Sequence, residues 1–315
     1  MKKSLLYCLL CGILLTACSK KAWVFTSFRE PANEGLRLLY SNDGYHWTDL
    51  DTVFLKPALD QQIIRDPSIA KGPDGTFHLV FTTAWKGNKG FGYASSKDLV
   101  HWSEQKLINV MATEPTTVNI WAPEIFYDDE SKEFIIIWAS TIPNRFEKGV
   151  EAEDNNHRMY YTTTRDFINF SPSRLFLDPG FSVIDAVILK RAPRDHVLIL
   201  KDNTRPERNI RVAFGETAIG PYHDVSPAFT DHLTEGPSVI RLKDKWLIYF
   251  DDYQKKIYDA VETTDFKTFR SITKSISLPP GHKHGTIFQL EKKFLKKLTR
   301  QRRHKFIINK IREAR

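Results

Sequence analysis

The sequence predicts an all-β fold, a five-bladed β-propeller closed by pairing N-terminal strands with a C-terminal inner strand. Three observations carry that prediction. A hairpin signal, two short apolar runs around a polar turn, occurs four times at intervals of about 50 to 60 residues, the period of a propeller blade. A second short motif follows the hairpins. The two chain ends each supply part of a fifth unit.

The four hairpins begin at Arg65-Asp66-Pro67-Ser68-Ile69, Trp121-Ala122-Pro123-Glu124-Ile125, Ile184-Asp185-Ala186-Val187 and Glu235-Gly236-Pro237. Each leads through a turn into a second run: Thr76–Thr82, Phe134–Ala139, His196–Leu200 and Trp246–Phe250. The second motif reads Ser95-Ser96-Lys97-Asp98-Leu99-Val100-His101-Trp102 after the first hairpin. It returns as Thr163–Phe170 and Thr263–Phe269, with only a loose equivalent at Glu216–His223. Each copy reads as a strand ending in a turn with an aromatic packed beneath the sheet. Trp23–Phe28 and Leu36–Tyr40 form the outer part of a unit with no inner strand, and Lys283–Leu290 is an inner strand with nothing after it. Joining them closes the ring and leaves no open sheet edge.

The termini read differently. Lys2-Lys3, the apolar run Leu5–Leu15 and Leu15-Thr16-Ala17-Cys18 indicate an export signal over residues 1–17. Leu-Thr-Ala before Cys resembles a bacterial lipobox, which implies lipidation of Cys18 and a lipidated tether at 18–21. Cys8 and Cys11 would leave with the signal, so disulfides, thiolate metal sites and cysteine nucleophiles are excluded. Residues 291–315 form a basic tail, eleven Lys or Arg against two Glu, and this accounts for the formal charge of +8. The body, 18–290, has 33 basic against 36 acidic residues, so nucleic-acid binding by the fold has no support. The tail reads as a solvated terminus, with a basic amphipathic helix on anionic lipid as the alternative. Residues 22–290 show no linker, and 7 Trp, 11 Tyr and 21 Phe suffice for the seams of one propeller domain.

Inner strands surround the axis of such a ring, and their starts carry Asp66, Trp121, Asp185, Glu235 and His284. The returning second strands bring Trp85, Ser140, Asn203 and Asp251 to the same face. Three acids from three blades in one funnel suggest hydrolysis of a glycosidic bond, with one carboxylate activating water and another protonating the leaving oxygen. Trp85 and Trp121 are candidates for stacking on a sugar ring, whereas Trp47 and Trp102 are assigned to packing.

These motifs resemble those of family 43 glycoside hydrolases over roughly residues 60–290. The resemblance implies a five-bladed propeller that inverts the anomeric centre, with Asp66 as general base, Glu235 as general acid and Asp185 tuning and orienting that acid. Ala186 departs from the Pro that many members carry. His284 looks like the histidine that helps hold a central ion or water, so it is placed among the substrate-binding residues. No cofactor is required; a structural calcium near His284 is the one ion the resemblance suggests. The expected function is release of terminal or side-chain α-L-arabinofuranose or β-xylose from plant-type polysaccharides or oligosaccharides. A galactan-directed glycosidase and a non-catalytic glycan-binding propeller are the alternatives. The expected setting is the bacterial cell envelope, as a lipid-anchored monomer. Ser19-Lys20-Lys21 lacks the acidic run of a surface-export signal, which tilts the expectation towards the periplasm.

Overall fold

The structure, a computed structural model, describes residues 21–300; the expected export signal over 1–17, Cys18 and the tail beyond Arg300 lie outside the described residues. Five four-stranded antiparallel sheets form the blades. Blade I joins Ile287–Glu291 to Lys21–Ser27, Leu36–Ser41 and Trp47–Leu55. Blades II to V follow in chain order, with inner strands Arg65–Lys71, Trp121–Asp128, Val183–Ala192 and Thr234–Leu242. The expected closure is present: Ala22 pairs with Leu290 and Phe25 with Ile287. Buried side chains fill five seams, one between each adjacent pair of blades, so the hydrophobic core is itself a ring. Parallel-facing sheets with alternating buried residues leave no other way to cover both faces of every blade.

The repeated Ser/Thr-x-Asp turn is built from side-chain caps. Ser96 Oγ accepts the N–H of Leu99 at 2.8 Å, and Asp98 Oδ1 accepts those of Val100 and His101. Thr164/Asp166 and Thr263/Asp265 repeat it, and so do Ser41/Asp43 in blade I. The residue after the Asp is the one driven inward: Leu99, Phe167 and Phe266 are all buried. The later aromatics, Trp102, Phe170 and Phe269, only border the core.

The first part of the tail departs from a solvated terminus. Residues 292–300 are helical, and Leu295 and Leu298 are buried, Leu298 within the seam of blades I and II. Phe294 meets Phe77 edge-on at 6.3 Å. The apolar stripe of this helix is therefore spent on the propeller.

Candidate active site

Each complete blade breaks its inner ladder at the same place. Register shifts fall between Arg65 and Ser68, Trp121 and Glu124, Ile184 and Val187, and Glu235 and Ser238. The first residue of each bulge pairs across the sheet, with Thr82, Ala139, Lys201 and Asp251 respectively. The second adopts positive φ: Asp66 at 49°, Ala122 at 44°, Asp185 at 52° and Gly236 at 59°. A bulge bends the strand and re-aims its side chains, which here turns them towards the axis.

The three acids are therefore not at equivalent positions. Asp66 and Asp185 occupy the positive-φ site, whereas Glu235 stands one residue earlier, in ladder register with Asp251. Gly236 takes the equivalent site because nothing larger fits: a Cβ there would lie 2.1 Å from His284 Cγ. Its N–H instead donates to Asp185 Oδ2 at 3.1 Å. The longer Glu side chain makes up the offset, and Asp66, Asp185, Glu235, His284, Trp85 and Trp121 line one cleft.

The charge states in that cleft diverge. Burial would raise Asp66, but His284 with Nε2 at 3.0 Å, neighbouring Arg65 and the Thr82 hydroxyl at 2.8 Å outweigh it and hold the carboxyl at about 2. Asp185 goes the other way. Burial, together with the charges of Glu235 and Asp66, lifts it above the usual aspartate range despite His284 and Lys201. Glu235 feels the same burial but is pulled down by Lys201, whose Nζ lies 2.8 Å from Oε2. His284 itself, buried among acids, is raised to about 9 because Asp66 and Asp185 overcome its desolvation. It is the resident countercharge of the axis, paired with Asp66 in the same cleft.

Several members of this network were not singled out in the sequence. Lys201, with 3% of its side chain exposed, stands across from Ile184 on the second strand of blade IV. Lys283 pairs with Asp251 at 2.6 Å, bridging blades I and V. Glu124 occupies the fourth bulge position, like Ser68 and Ser238, and so turns to the axis below the carboxylates. Burial raises it to about 7, against the pull of Ser68 and of Thr286, whose hydroxyl is 3.3 Å from Oε2. It faces an axial cavity of about 20 Å³, shared with Asp66, Asp185 and His284, which is room for one water.

Two tryptophans form the rim on the side of blades II and III. The Arg65 guanidinium lies 4.0 Å from the centre of the Trp85 ring, and that residue is 48% exposed, which leaves an aromatic face towards the cleft. Trp121 is the more enclosed: it stacks on His157 at 4.8 Å, and its Nε1 donates to the Trp85 carbonyl at 2.8 Å. The polar loop Pro143–His157 completes this wall. Buried Glu151 ties it to the next blade by accepting the N–H of Arg205, and Asp154 pairs with Lys86 at 2.6 Å. Ser140 and Asn203 are both buried, Ser140 satisfied by the Asn119 carbonyl, so neither presents a side chain to the cleft mouth. A larger groove, about 830 Å³ between the outer strands of blades II and III, contains no carboxylate and carries no comparable chemistry.

The donors near His284 do not suit a resident calcium, which takes six to eight oxygens. Glu235, Asp251 and His284 offer atoms within 4.8 Å of one another. Yet both carboxylates already carry an ammonium, and the imidazole is held cationic. No step below is routed through a metal.

A family model described as "Probable glycosyl hydrolase domain", of the type related to family 43, matches residues 19–295. An α-L-arabinofuranosidase of Bifidobacterium longum subsp. longum is 23% identical over 150 residues, which cover 40% of this chain and 14% of that protein. The chain thus spans well under two thirds of that relative. Among solved structures, a thermostable family-43 glycoside hydrolase superposes with a TM-score of 0.54 at 16% identity, covering 71% of this chain and 78% of the other. The catalytic domain of the Coprinopsis cinerea GH62 α-L-arabinofuranosidase gives 0.52 at 16%, covering 72% and 74%. The exo-β-1,3-galactanase of Phanerochaete chrysosporium gives 0.53 at 12%, covering 70% and 53%. At these identities the likeness is one of fold.

Proposed function

The chain belongs to the family of glycosyl hydrolase domains related to family 43, and from that premise we propose that it is an inverting glycosidase releasing terminal or side-chain α-L-arabinofuranose or β-xylose. The observation that carries the reading is the split in charge state among three carboxylates of one cleft. Asp66 is held ionised, Asp185 is pushed towards its protonated form, and Glu235 is held below its ordinary value by Lys201 against its burial. Groups of opposite protonation facing one cleft are what acid–base hydrolysis requires.

In this reading Asp66 is the general base. It takes a proton from a water that attacks the anomeric carbon as the glycosidic C–O bond breaks on the opposite side. Glu235 is the general acid that protonates the departing oxygen. The Lys201 ammonium opposes that role in the free protein. A sugar that draws the ammonium aside leaves Glu235 to burial, the largest influence on it and one that raises its pKa, with the charge of Asp66 opposing the remaining pull of His284. Asp185, anchored by the Gly236 N–H, is the group placed to orient the acid. Trp85 presents an exposed ring for the C–H face of the sugar.

The Lys201–Glu235 pair also favours a second reading, a propeller that binds glycans and keeps its acid ionised. Hydrolysis of aryl α-L-arabinofuranosides, β-xylosides and β-galactosides, followed by NMR of the first anomer released, separates the two. Inverted arabinose or xylose supports the glycosidase. Galactose as the sole product moves the substrate to galactan. Tight glycan binding with no turnover of any substrate favours the binding propeller.

A further inference from the structure

The helix at 292–300 has two unlike faces. Leu295 and Leu298 are buried in the propeller, while Lys293, Lys296, Lys297 and Arg300 are exposed. Lys293 pairs with Glu291 at 2.6 Å; Lys296, Lys297 and Arg300 have no ion pair among the described residues. Two further exposed lysines adjoin them. Lys21 is in register with Glu291, immediately before the helix, and Lys71, at the end of the blade II inner strand, has its ammonium 5.6 Å from the Phe294 ring. The blade I inner strand follows His284, at the cleft, and ends at Glu291. This basic patch therefore lies on the face of the propeller opposite the carboxylates.

We propose that this face docks on anionic phospholipid headgroups, so that the cleft opens away from the bilayer. Charge complementarity selects the occupant, and the position of the N-terminus supports it. Lys21 is three residues after Cys18, so a lipid on that cysteine enters the bilayer within about 11 Å of the patch, the reach of three extended residues. The remaining sequence, 301–315, adds six Lys or Arg against one Glu. Stable anchoring usually combines a lipid chain with a second signal, and a polybasic surface is one such signal. The patch also fixes orientation, which a flexible tether alone does not.

The test is flotation of the full chain carrying Cys18→Ala, which removes the thiol a lipid would occupy. Phosphatidylcholine vesicles with and without about 30% phosphatidylglycerol are compared at low salt, where each basic residue near an anionic surface strengthens binding about fivefold, and at high salt, which screens that attraction. Binding at least about tenfold tighter to the anionic vesicles, weakened by salt, is expected, and Lys296→Glu/Lys297→Glu/Arg300→Glu should reduce that preference about tenfold or more, down to what the other basic residues supply. A neutral version, Lys296→Gln/Lys297→Gln/Arg300→Gln, guards against repulsion within the reversed-charge helix and should also reduce it. Equal binding to both vesicle types, an anionic preference undiminished in both variants, or tighter binding to duplex DNA than to the anionic vesicles would overturn the proposal. None of these readings depends on glycoside hydrolysis.

Discussion

Lys201 Nζ lies 2.8 Å from Glu235 Oε2, deep enough that 3% of the lysine side chain and 24% of the glutamate side chain remain exposed. The pair sets the protonation of the proposed acid, and its removal has a defined sign. Lys201→Met withdraws a positive neighbour, so the Glu235 pKa rises and the group stays protonated to higher pH. The alkaline limb of the kcat/KM profile should then move upward in pH. Stability should fall at neutral pH, because a buried carboxylate loses its partner. An unshifted alkaline limb in a folded variant would remove Glu235 from the acid role.

His284 links pH to stability in one direction. Its pKa rises from 6.5 to about 9 on folding, so the native state binds its proton more tightly than the unfolded chain. The resulting stability is fully present below about 6.5 and is lost as pH climbs through 9. Denaturant midpoints measured from pH 6 to 10 should decline across that window, and His284→Gln should flatten the decline.

Glu124 works against the fold at neutral pH. Its folded pKa, about 7 rather than 4.5, means that the native state resists ionisation there. The cost is absent below about 4.5 and complete above about 7. Glu124→Gln keeps the shape and a hydrogen bond with Thr286 while removing the charge. Its midpoint should match or exceed that of the parent at pH 8, with the gain vanishing near pH 4.

Gly236 fixes the contact between blades V and I. With φ at 59° and His284 Cγ 2.1 Å from where a Cβ would sit, Gly236→Ala combines backbone strain with a steric clash. Strain alone costs about 1–3 kcal/mol, so a clear drop in melting temperature is expected, together with loss of the His284-dependent pH window. An unperturbed variant would mean that the axis tolerates a wider spacing than the structure shows.

How much of this was legible in the sequence differs by level. The blades were readable because each repeats a hairpin and a Ser/Thr-x-Asp turn, and closure followed from complementary half-units at Trp23–Tyr40 and Lys283–Leu290. The convergence of Asp66, Asp185 and Glu235 was readable at the level of strand starts. Their geometry was not: aligning Pro67 with Pro237 places Glu235 one residue before the position of Asp66, but only the bulge shows which of the two positions has positive φ and which stays in the ladder. The same bulge turns Glu124 onto the axis, although in Trp-Ala-Pro-Glu it reads as part of a turn. Lys201 was hidden in another way: a lysine ending an apolar strand looks like a snorkelling edge residue until the ladder pairs it with Ile184. The expected funnel residues Ser140 and Asn203 missed because the ladder places Ala139 and Lys201 opposite the bulges instead. The start of the tail, 292–300, was misread since its apolar positions are few, yet two of them suffice to dock one short helix.

The most direct measurement compares Glu235→Gln with the parent on aryl glycosides whose leaving groups span a range of acidity. A general acid contributes about 10²–10⁴ in rate, and its loss should be deepest for the most basic leaving groups and slight for the most acidic. That graded loss, on arabinofuranosides or xylosides and with glycan binding retained, is the predicted result. A uniform loss across all leaving groups, or none at all, would contradict the assignment of Glu235 as the acid.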